Sequence, residues 1–477
     1  MIILKKSIYK LTVLTVLSIQ LAGCAEKSVG QEIVIIQADA SNGADENDGG
    51  VMGDATITPD AADLSPDMAL GMPLFPGEAV SCQQNASYEQ LLPILTGGRV
   101  HPTGRGEQSA AFDFCNRRIV LFGGNDFQPE ECADFGPKRF QGDTWIYSLE
   151  HDNWARLDLD VAPRARGRHR MVFDRSRKQI YLFGGRYREQ ANSGLYQLFN
   201  DFWVFDVNTD TWSQRLTMGD VPSPRTNTAM VYDYVNDRVI LFGGSTSLSG
   251  LEFIPQSDTY SLDLDTFVWR RIDGPAPRAR LFHEMVIDST HGQLLMFGGG
   301  GANAFIGPFY RDLWSFDLEN ETWTQLWDGT GRGPDGRINA SLVEDVEGER
   351  ILMFAGHDDT NVGHRNDVWE YDTANQQWRG VIAGDSGAGQ GCTRFCECPP
   401  DFVQVDVNSP ERRQYHMFEP IPDEQRAILF GGKGDCGYLD DTWSFSFEDD
   451  EWIEIEPAGQ GEACMRTGQE GCTDLCY

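Results

Sequence analysis

Apolar residues gather along this chain into short runs, and six of the runs end in the same pair of small residues. They are Val120-Leu-Phe-Gly-Gly124, Tyr181-Leu-Phe-Gly-Gly185, Ile240-Leu-Phe-Gly-Gly244, Leu295-Met-Phe-Gly-Gly299, Leu352-Met-Phe-Ala-Gly356 and Ile428-Leu-Phe-Gly-Gly432. Runs this short, closed by glycine, read as buried strands. Each is followed by an Asp-x-aromatic strand and then by a Trp, giving the pairs Trp145 and Trp154, Trp203 and Trp212, Tyr260 and Trp269, Trp314 and Trp323, Trp369 and Trp378, and Trp443 and Trp452. Every pair is nine residues apart, and only Trp327 of the 12 Trp falls outside the register. A further short element opens each unit, over Arg105 to Phe112, Arg166 to Phe173, Arg225 to Tyr232, Arg280 to Ile287, Arg337 to Val343 and Arg413 to Phe418.

Four short strands per unit, repeated six times, predict an all-β chain of four-stranded antiparallel sheets set radially, because radial repetition leaves few exposed edges. The expected fold is a six-bladed β-propeller. A seventh blade stays open if Tyr88 to Leu95 or the Gly384 to Asn408 insertion supplies strands. The di-glycine, the opening Arg and the aromatic placed before each second Trp (Tyr147, Phe205, Phe316, Tyr371 and Phe445) resemble kelch repeats over about residues 98 to 457. Ala355 for the first glycine of blade 5, and Tyr260 and Leu262 in blade 3, depart from the pattern and question packing only there. Glycine pairs let the chain leave a strand with positive φ, and a Trp present in every blade is more simply core than a sugar platform.

Strands that alternate in direction send the connection after the second strand and the connection between blades to one face. The turns after the third strands keep one length, whereas the segments after the second strands vary: 125 to 142, 186 to 200, 245 to 257, 300 to 311, 357 to 366 and 433 to 440. Long loops on a rigid frame are where binding concentrates, so this face is the expected binding face. Arg105, Arg166, Arg225, Arg280, Arg337 and Arg413 start there. Their guanidinium groups are candidates for forked contacts to an acidic peptide or carboxylated glycan, a use the kelch resemblance also implies. The competing reading pairs them with Asp143, Asp201, Asp258, Asp312, Asp367 and Asp441 in a structural ring, the more economical fate for repeated charges.

Ahead of the repeats, Lys5, Lys6 and Lys10 precede an apolar stretch from Leu11 to Leu21, too short for a mature membrane span. It closes in Leu21-Ala22-Gly23-Cys24, which resembles a bacterial lipoprotein signal, with residues 1–23 removed and Cys24 carrying lipid. Ala25 in place of Asp suggests an outer-membrane destination, facing the periplasm or the cell surface. Residues 24–80, with 11 acids and one Lys after the Cys, read as a disordered tether. The propeller is assigned to residues 81–460 and a Cys-rich tail to 461–477.

Charge narrows the partners. The full chain of 477 residues has a formal charge of −34, which becomes −37 once three Lys leave with the signal. Nucleic acid and anionic lipid surfaces are therefore poor partners, since both begin with phosphate neutralisation. An exported chain with ten cysteines besides Cys24 reads as a disulfide framework. Cys82, Cys115 and Cys132 lie near the start, and Cys392, Cys396, Cys398, Cys436, Cys464, Cys472 and Cys476 near the end. Both groups are odd, so full pairing requires a bridge between them that would clasp the first blade to the last; a free thiol would lift the requirement. Zinc in the two Gly-Cys-Thr patterns suits an oxidising compartment less well.

Enzymatic function has less support. Galactose oxidase uses kelch-like blades, but the resemblance would require a copper set of two His, two Tyr and a cross-linked Cys, and His101, His151, His169, His283, His291, His357, His364 and His416 fall in no matching constellation. His169, His283 and His416 occupy one repeat position and read as structural. His357, Asp359 and His364 form a weak candidate for a divalent metal. The sequence therefore predicts a monomeric, lipid-anchored binding module for protein or glycan with no cofactor, the alternative being a glycan-active oxidase, lyase or hydrolase.

Overall fold

Each di-glycine strand is apolar at successive positions because both of its faces are covered. In the computed structural model the strand Arg118–Phe122 is buried throughout and Arg238–Phe242 is buried after its first residue, both sandwiched between neighbouring blades. Outermost strands such as Thr211–Arg215 bury a single Trp and expose the rest. The structure describes residues 88–126, 140–189, 195–250, 252–358, 363–387, 403–434 and 437–459. All lie in the second of two units, Met72–Tyr477, into which the chain divides. The expected signal, tether and Cys-rich tail fall outside the described residues, as do Cys24, Cys82, Cys132, Cys392, Cys396, Cys398, Cys436, Cys464, Cys472, Cys476 and Asp359.

Six antiparallel sheets follow one another in sequence, each complete within its own repeat. Blade 1 comprises Ser109–Asp113, Arg118–Phe122, Thr144–Ser148 and Asn153–Leu157, and blade 6 comprises Met417–Ile421, Arg426–Lys433, Tyr438–Ser446 and Glu451–Glu456. In blade 3 the linker from blade 2 adds Met218–Gly219 as a fifth, parallel strand on the outer edge. One possible source of a seventh blade is corrected. Tyr88–Leu95 is a helix, because Leu91 and Leu95, four apart, share the face that packs on blade 1. Of the Gly384 to Asn408 segment, the described residues pair as a two-residue ribbon, Ser386–Gly387 with Val403–Gln404, while residues 388–402 lie outside the described residues.

The second Trp of every repeat lies against the di-glycine-strand Phe of the preceding blade. Ring centroids are 5.4 Å apart for Trp212 and Phe122, 5.4 Å for Trp269 and Phe183, 4.9 Å for Trp323 and Phe242, 5.5 Å for Trp378 and Phe297, and 4.7 Å for Trp452 and Phe354. Trp154 of blade 1 meets Phe430 of blade 6 at 4.7 Å, which closes the circle. The sixfold Trp position is thus inter-blade core, worth about 2–3 kcal/mol of burial per side chain.

Two smaller features recur in alternate blades. His169, His283 and His416 are buried against Phe122, Phe242 and Phe354 of the preceding blade, with ring centroids 5.5, 5.4 and 5.2 Å apart. On the opposite face Arg118 grips Asp113 in its own blade and Asp210 in the next; Arg238 does the same with Asp233 and Glu321, and Arg350 with Asp345 and Asp450. Both features mark the seams between blades 1 and 2, 3 and 4, and 5 and 6.

Candidate functional site

The opening arginines are built into the frame. Each is 1% exposed or less. Arg280 is representative: Nη1 donates to Asp312 Oδ1 at 2.9 Å and to the Gly298 carbonyl at 2.9 Å, and Nη2 donates to Asp312 Oδ2 at 2.9 Å. The same fork joins Arg105 to Asp143, Arg166 to Asp201, Arg225 to Asp258, Arg337 to Asp367 and Arg413 to Asp441. Each Asp also accepts from the first aromatic of its repeat, as Trp314 Nε1 does at 2.8 Å or the Tyr260 hydroxyl at 3.0 Å. One network therefore accounts for the recurring Gly, Arg, Asp and Trp together. Burial raises the carboxyls of Asp143, Asp201, Asp258, Asp312 and Asp367, and their guanidinium partners more than reverse that, leaving all five below the usual range. A ligand on this face finds those six guanidinium groups already engaged.

What lines the mouth of the central channel is the residue two places after each opening Arg. Glu107, Arg168, Asn227, Phe282, Asn339 and Tyr415 all have φ between 55° and 64°. This left-handed turn lets the backbone N–H of one blade reach the carbonyl of the blade before: Arg168 to Glu107 at 2.7 Å, Asn227 to Arg168 at 3.3 Å, Phe282 to Asn227 at 3.3 Å, Asn339 to Phe282 at 2.9 Å and Glu107 to Tyr415 at 3.2 Å. The side chains of Glu107, Arg168, Phe282 and Tyr415 touch one another, with the Phe282 and Tyr415 ring centroids 6.1 Å apart. Arg168 Nε donates to Glu107 Oε1 at 2.6 Å, and its Nη2 donates to the Tyr415 hydroxyl at 2.9 Å. Arg186, just after the blade 2 di-glycine, donates through Nη2 to the same Glu107 oxygen at 2.8 Å. Burial works to raise the Glu107 carboxyl, but Arg168 and Arg186 hold it down at about 2.

Beside this charged half stands an aromatic one. Phe253, Leu281, Phe282, Ala304 and Ile338 form a separate core on the loop side, with Phe305, Phe309 and Tyr415 packed against it. The connections that supply it are tied to one another: Tyr196 N–H donates to the Leu248 carbonyl at 2.9 Å, and Phe253 N–H to the Ala302 carbonyl at 3.4 Å. Leu195, Leu248, Ile254 and Ile306, on the connections after the second strands of blades 2 to 4, point to solvent and are 45% to 83% exposed. Deeper in the channel, Arg170 of blade 2 reaches Glu284 of blade 4 at 2.5 Å and the Thr228 carbonyl at 2.7 Å. Glu419 of blade 6 joins them, pushed up to about 8 by burial and by the Glu284 charge.

The remaining candidates are distributed elsewhere. His357 and His364 face each other across the blade 5 hairpin, rings 4.8 Å apart. His364 Nε2 lies 3.0 Å from Gln414 Nε2. Among the described residues no three His, Cys, Asp or Glu side chains are grouped to hold a metal ion. Cys115 lies in the turn between the first two strands of blade 1, its N–H donated to Asp113 Oδ1 at 3.1 Å. Sequence reasoning missed the mouth residues because the position carries five different residue types in six blades, Asn alone occurring twice; that variability inside an otherwise constant frame was the available signal.

The comparisons agree with the architecture. Residues 175–393 match the family described as the KLHDC2/KLHL20/DRC7 Kelch-repeats domain. The chain carries a kelch-repeat domain, built as a six-bladed propeller. Among similar proteins, N-(sulfonatooxy)prop-2-enimidothioate sulfolyase of Thlaspi arvense is 32% identical over 222 residues, 43% of this chain and 59% of that protein. Kelch domain-containing protein 10 of Rattus norvegicus is 23% identical over 323 residues, 65% of this chain and 70% of that protein. Kelch domain-containing protein 3 of Bos taurus is 26% identical over 275 residues, covering 54% and 66%.

Proposed function

We propose that this protein is an exported, lipid-anchored binding module that engages a protein or glycan through the loop-rich face of its propeller. The observation that carries the reading is the rim formed by Leu195, Leu248, Ile254 and Ile306, exposed together beside a mouth of buried charge and aromatic rings. Exposed apolar groups gathered on connections that also hydrogen-bond to one another mark an interaction surface more than scattered single residues do. Anchoring follows from the Leu21-Ala22-Gly23-Cys24 sequence, with residues 24–80 as the tether and the outer membrane as the site. A bridge between the first and last cysteine groups would restrain the ring where no strand is shared, contributing about 2–4 kcal/mol.

The test is a purified propeller presented to peptide and glycan arrays beside a Leu195→Asp, Ile306→Asp double variant. Ligands that bind the parent are expected to lose at least tenfold in affinity on the variant; undiminished binding would overturn the assignment of this face. Mass analysis of the mature N-terminus checks the anchor, which requires an acylated Cys24. The second reading, an enzyme, is favoured by the similarity to a plant sulfolyase. Turnover of a sulfated or glycosylated substrate, lost on replacing residues of the mouth, would establish it.

A further inference from the structure

A group of buried polar atoms at the mouth finds no partner among the described residues. Glu107 Oε1 takes both guanidinium contacts, while Glu107 Oε2 meets no donor among the described residues. Arg168 Nη1, Arg186 Nε and Asn227 Nδ2 likewise meet no acceptor there. Glu107, Arg186 and Asn227 are only 4%, 6% and 6% exposed. Each such atom costs about 1–3 kcal/mol when left unmet, so a cluster of them calls for a physical reason.

The cluster mixes acceptor with donors and is walled by rings. The Arg168 guanidinium lies 4.7 Å from the Tyr415 ring and 4.9 Å from the Phe282 ring, and Arg186 lies 4.1 Å over Tyr196. A hydroxyl both donates and accepts, so neighbouring hydroxyls on one ring satisfy a carboxylate oxygen and a guanidinium or amide N–H side by side. The C–H face of the same ring packs on aromatic side chains. Two guanidinium groups share the single Glu107 carboxylate, which leaves one positive charge for a ligand carboxylate to meet in forked fashion. A purely acidic peptide answers the charge but brings its carboxylates against Glu107 and supplies no paired hydroxyls.

We propose that the mouth binds a uronic acid residue of an acidic saccharide, its hydroxyls on Glu107 and Asn227 and its carboxylate on Arg168 and Arg186. The ligand reaches the cluster by displacing the half-buried Tyr415 hydroxyl from Arg168 Nη2. This rests on the binding-module reading and commits it to one ligand class.

Calorimetric titration of the propeller with a hexuronate trisaccharide, the corresponding neutral hexose trisaccharide and an Asp/Glu peptide of equal charge tests it. The uronate is expected to bind at least tenfold more tightly than the other two. Glu107→Gln and Asn227→Ala should each weaken it at least fivefold, with thermal melting confirming that each variant folds; Asn227→Ala keeps the test open if Glu107→Gln does not fold. Absence of uronate binding, equal binding of the neutral sugar, or folded variants of unchanged affinity would overturn the proposal. Peptide binding that the Leu195→Asp, Ile306→Asp variant abolishes, with no saccharide bound, would sink the uronate site while leaving the binding module intact. No ligand in any arm would overturn the uronate site, and the binding-module reading would fall only if the peptide and glycan arrays are also empty.

Discussion

Trp154 and Phe430 pack with ring centroids 4.7 Å apart, joining the first blade to the last. The indole N–H also reaches Thr442 Oγ1 at 3.4 Å across 288 residues of sequence. Every other seam is bridged by a covalent linker of the chain as well as by packing, whereas this one has no strand shared between the ends among the described residues. Trp154→Ala is expected to cost about 3–5 kcal/mol, read from denaturant midpoints. Amide exchange should show blades 1 and 6 losing protection first. Uniform loss of protection around the ring would contradict the special standing of this seam.

The Arg280–Asp312 fork gives a second expectation. Removing one member of a buried, hydrogen-bonded pair strands the other charge, so Arg280→Ala should destabilise by about 3–5 kcal/mol. Ligand affinity of the fraction that remains folded should stay within twofold. A large affinity loss in a stably folded Arg280→Ala protein would return the arginine to the binding site.

Blade 5 carries a local misfit whose repair is measurable. Ala355 occupies the first di-glycine position with φ of 59°, where its counterparts Gly123 and Gly184 have 69° and 71°. A Cβ in the left-handed region costs about 1–2 kcal/mol. Ala355→Gly should raise stability by about 1 kcal/mol in a thermal melt, and a lower melting temperature would refute this account.

Channel and mouth carboxyls respond to pH with opposite sign. Glu419 is raised to about 8 from an ordinary 4.5 by burial and by Glu284. The fold thus favours its proton, and that contribution is complete below pH 4.5 and lost as pH rises through about 8. Glu107, held at about 2, contributes above pH 4.5 and loses that contribution as pH falls through about 2. Glu419→Gln should therefore raise the melting temperature at pH 9 and leave it unchanged at pH 4. Equal melting of the two proteins at pH 9 would reject the buried position assigned to Glu419.

The frame was legible in the sequence because its network repeats with its spacing. Gly298, Arg280, Asp312 and Trp314 meet in one set of hydrogen bonds, and their equivalents recur in every unit, so a search for periods finds them. The mouth was not legible, since position, not side-chain type, is what Glu107, Arg168, Asn227, Phe282, Asn339 and Tyr415 share. Nor does sequence announce that Tyr196 will meet Leu248, or Phe253 Ala302, because those contacts join loops of different blades. The Tyr88–Leu95 helix was missed as a helix for a related reason: eight residues with an internal Pro93 show too little periodicity, and its packing on blade 1 decides the outcome.

The alternation of His169, His283 and His416 with Arg118, Arg238 and Arg350 has a further consequence. Taken two sheets at a time, the circle has approximate threefold symmetry, as if an ancestral tandem had been copied twice. A fragment spanning the first two sheets keeps its His and Arg stitches, whereas one spanning the second and third lacks both and is held across its seam by Arg177 with Asp237 and Asp265 instead. Dissection of the gene should therefore yield its best-behaved pieces in even-numbered cuts.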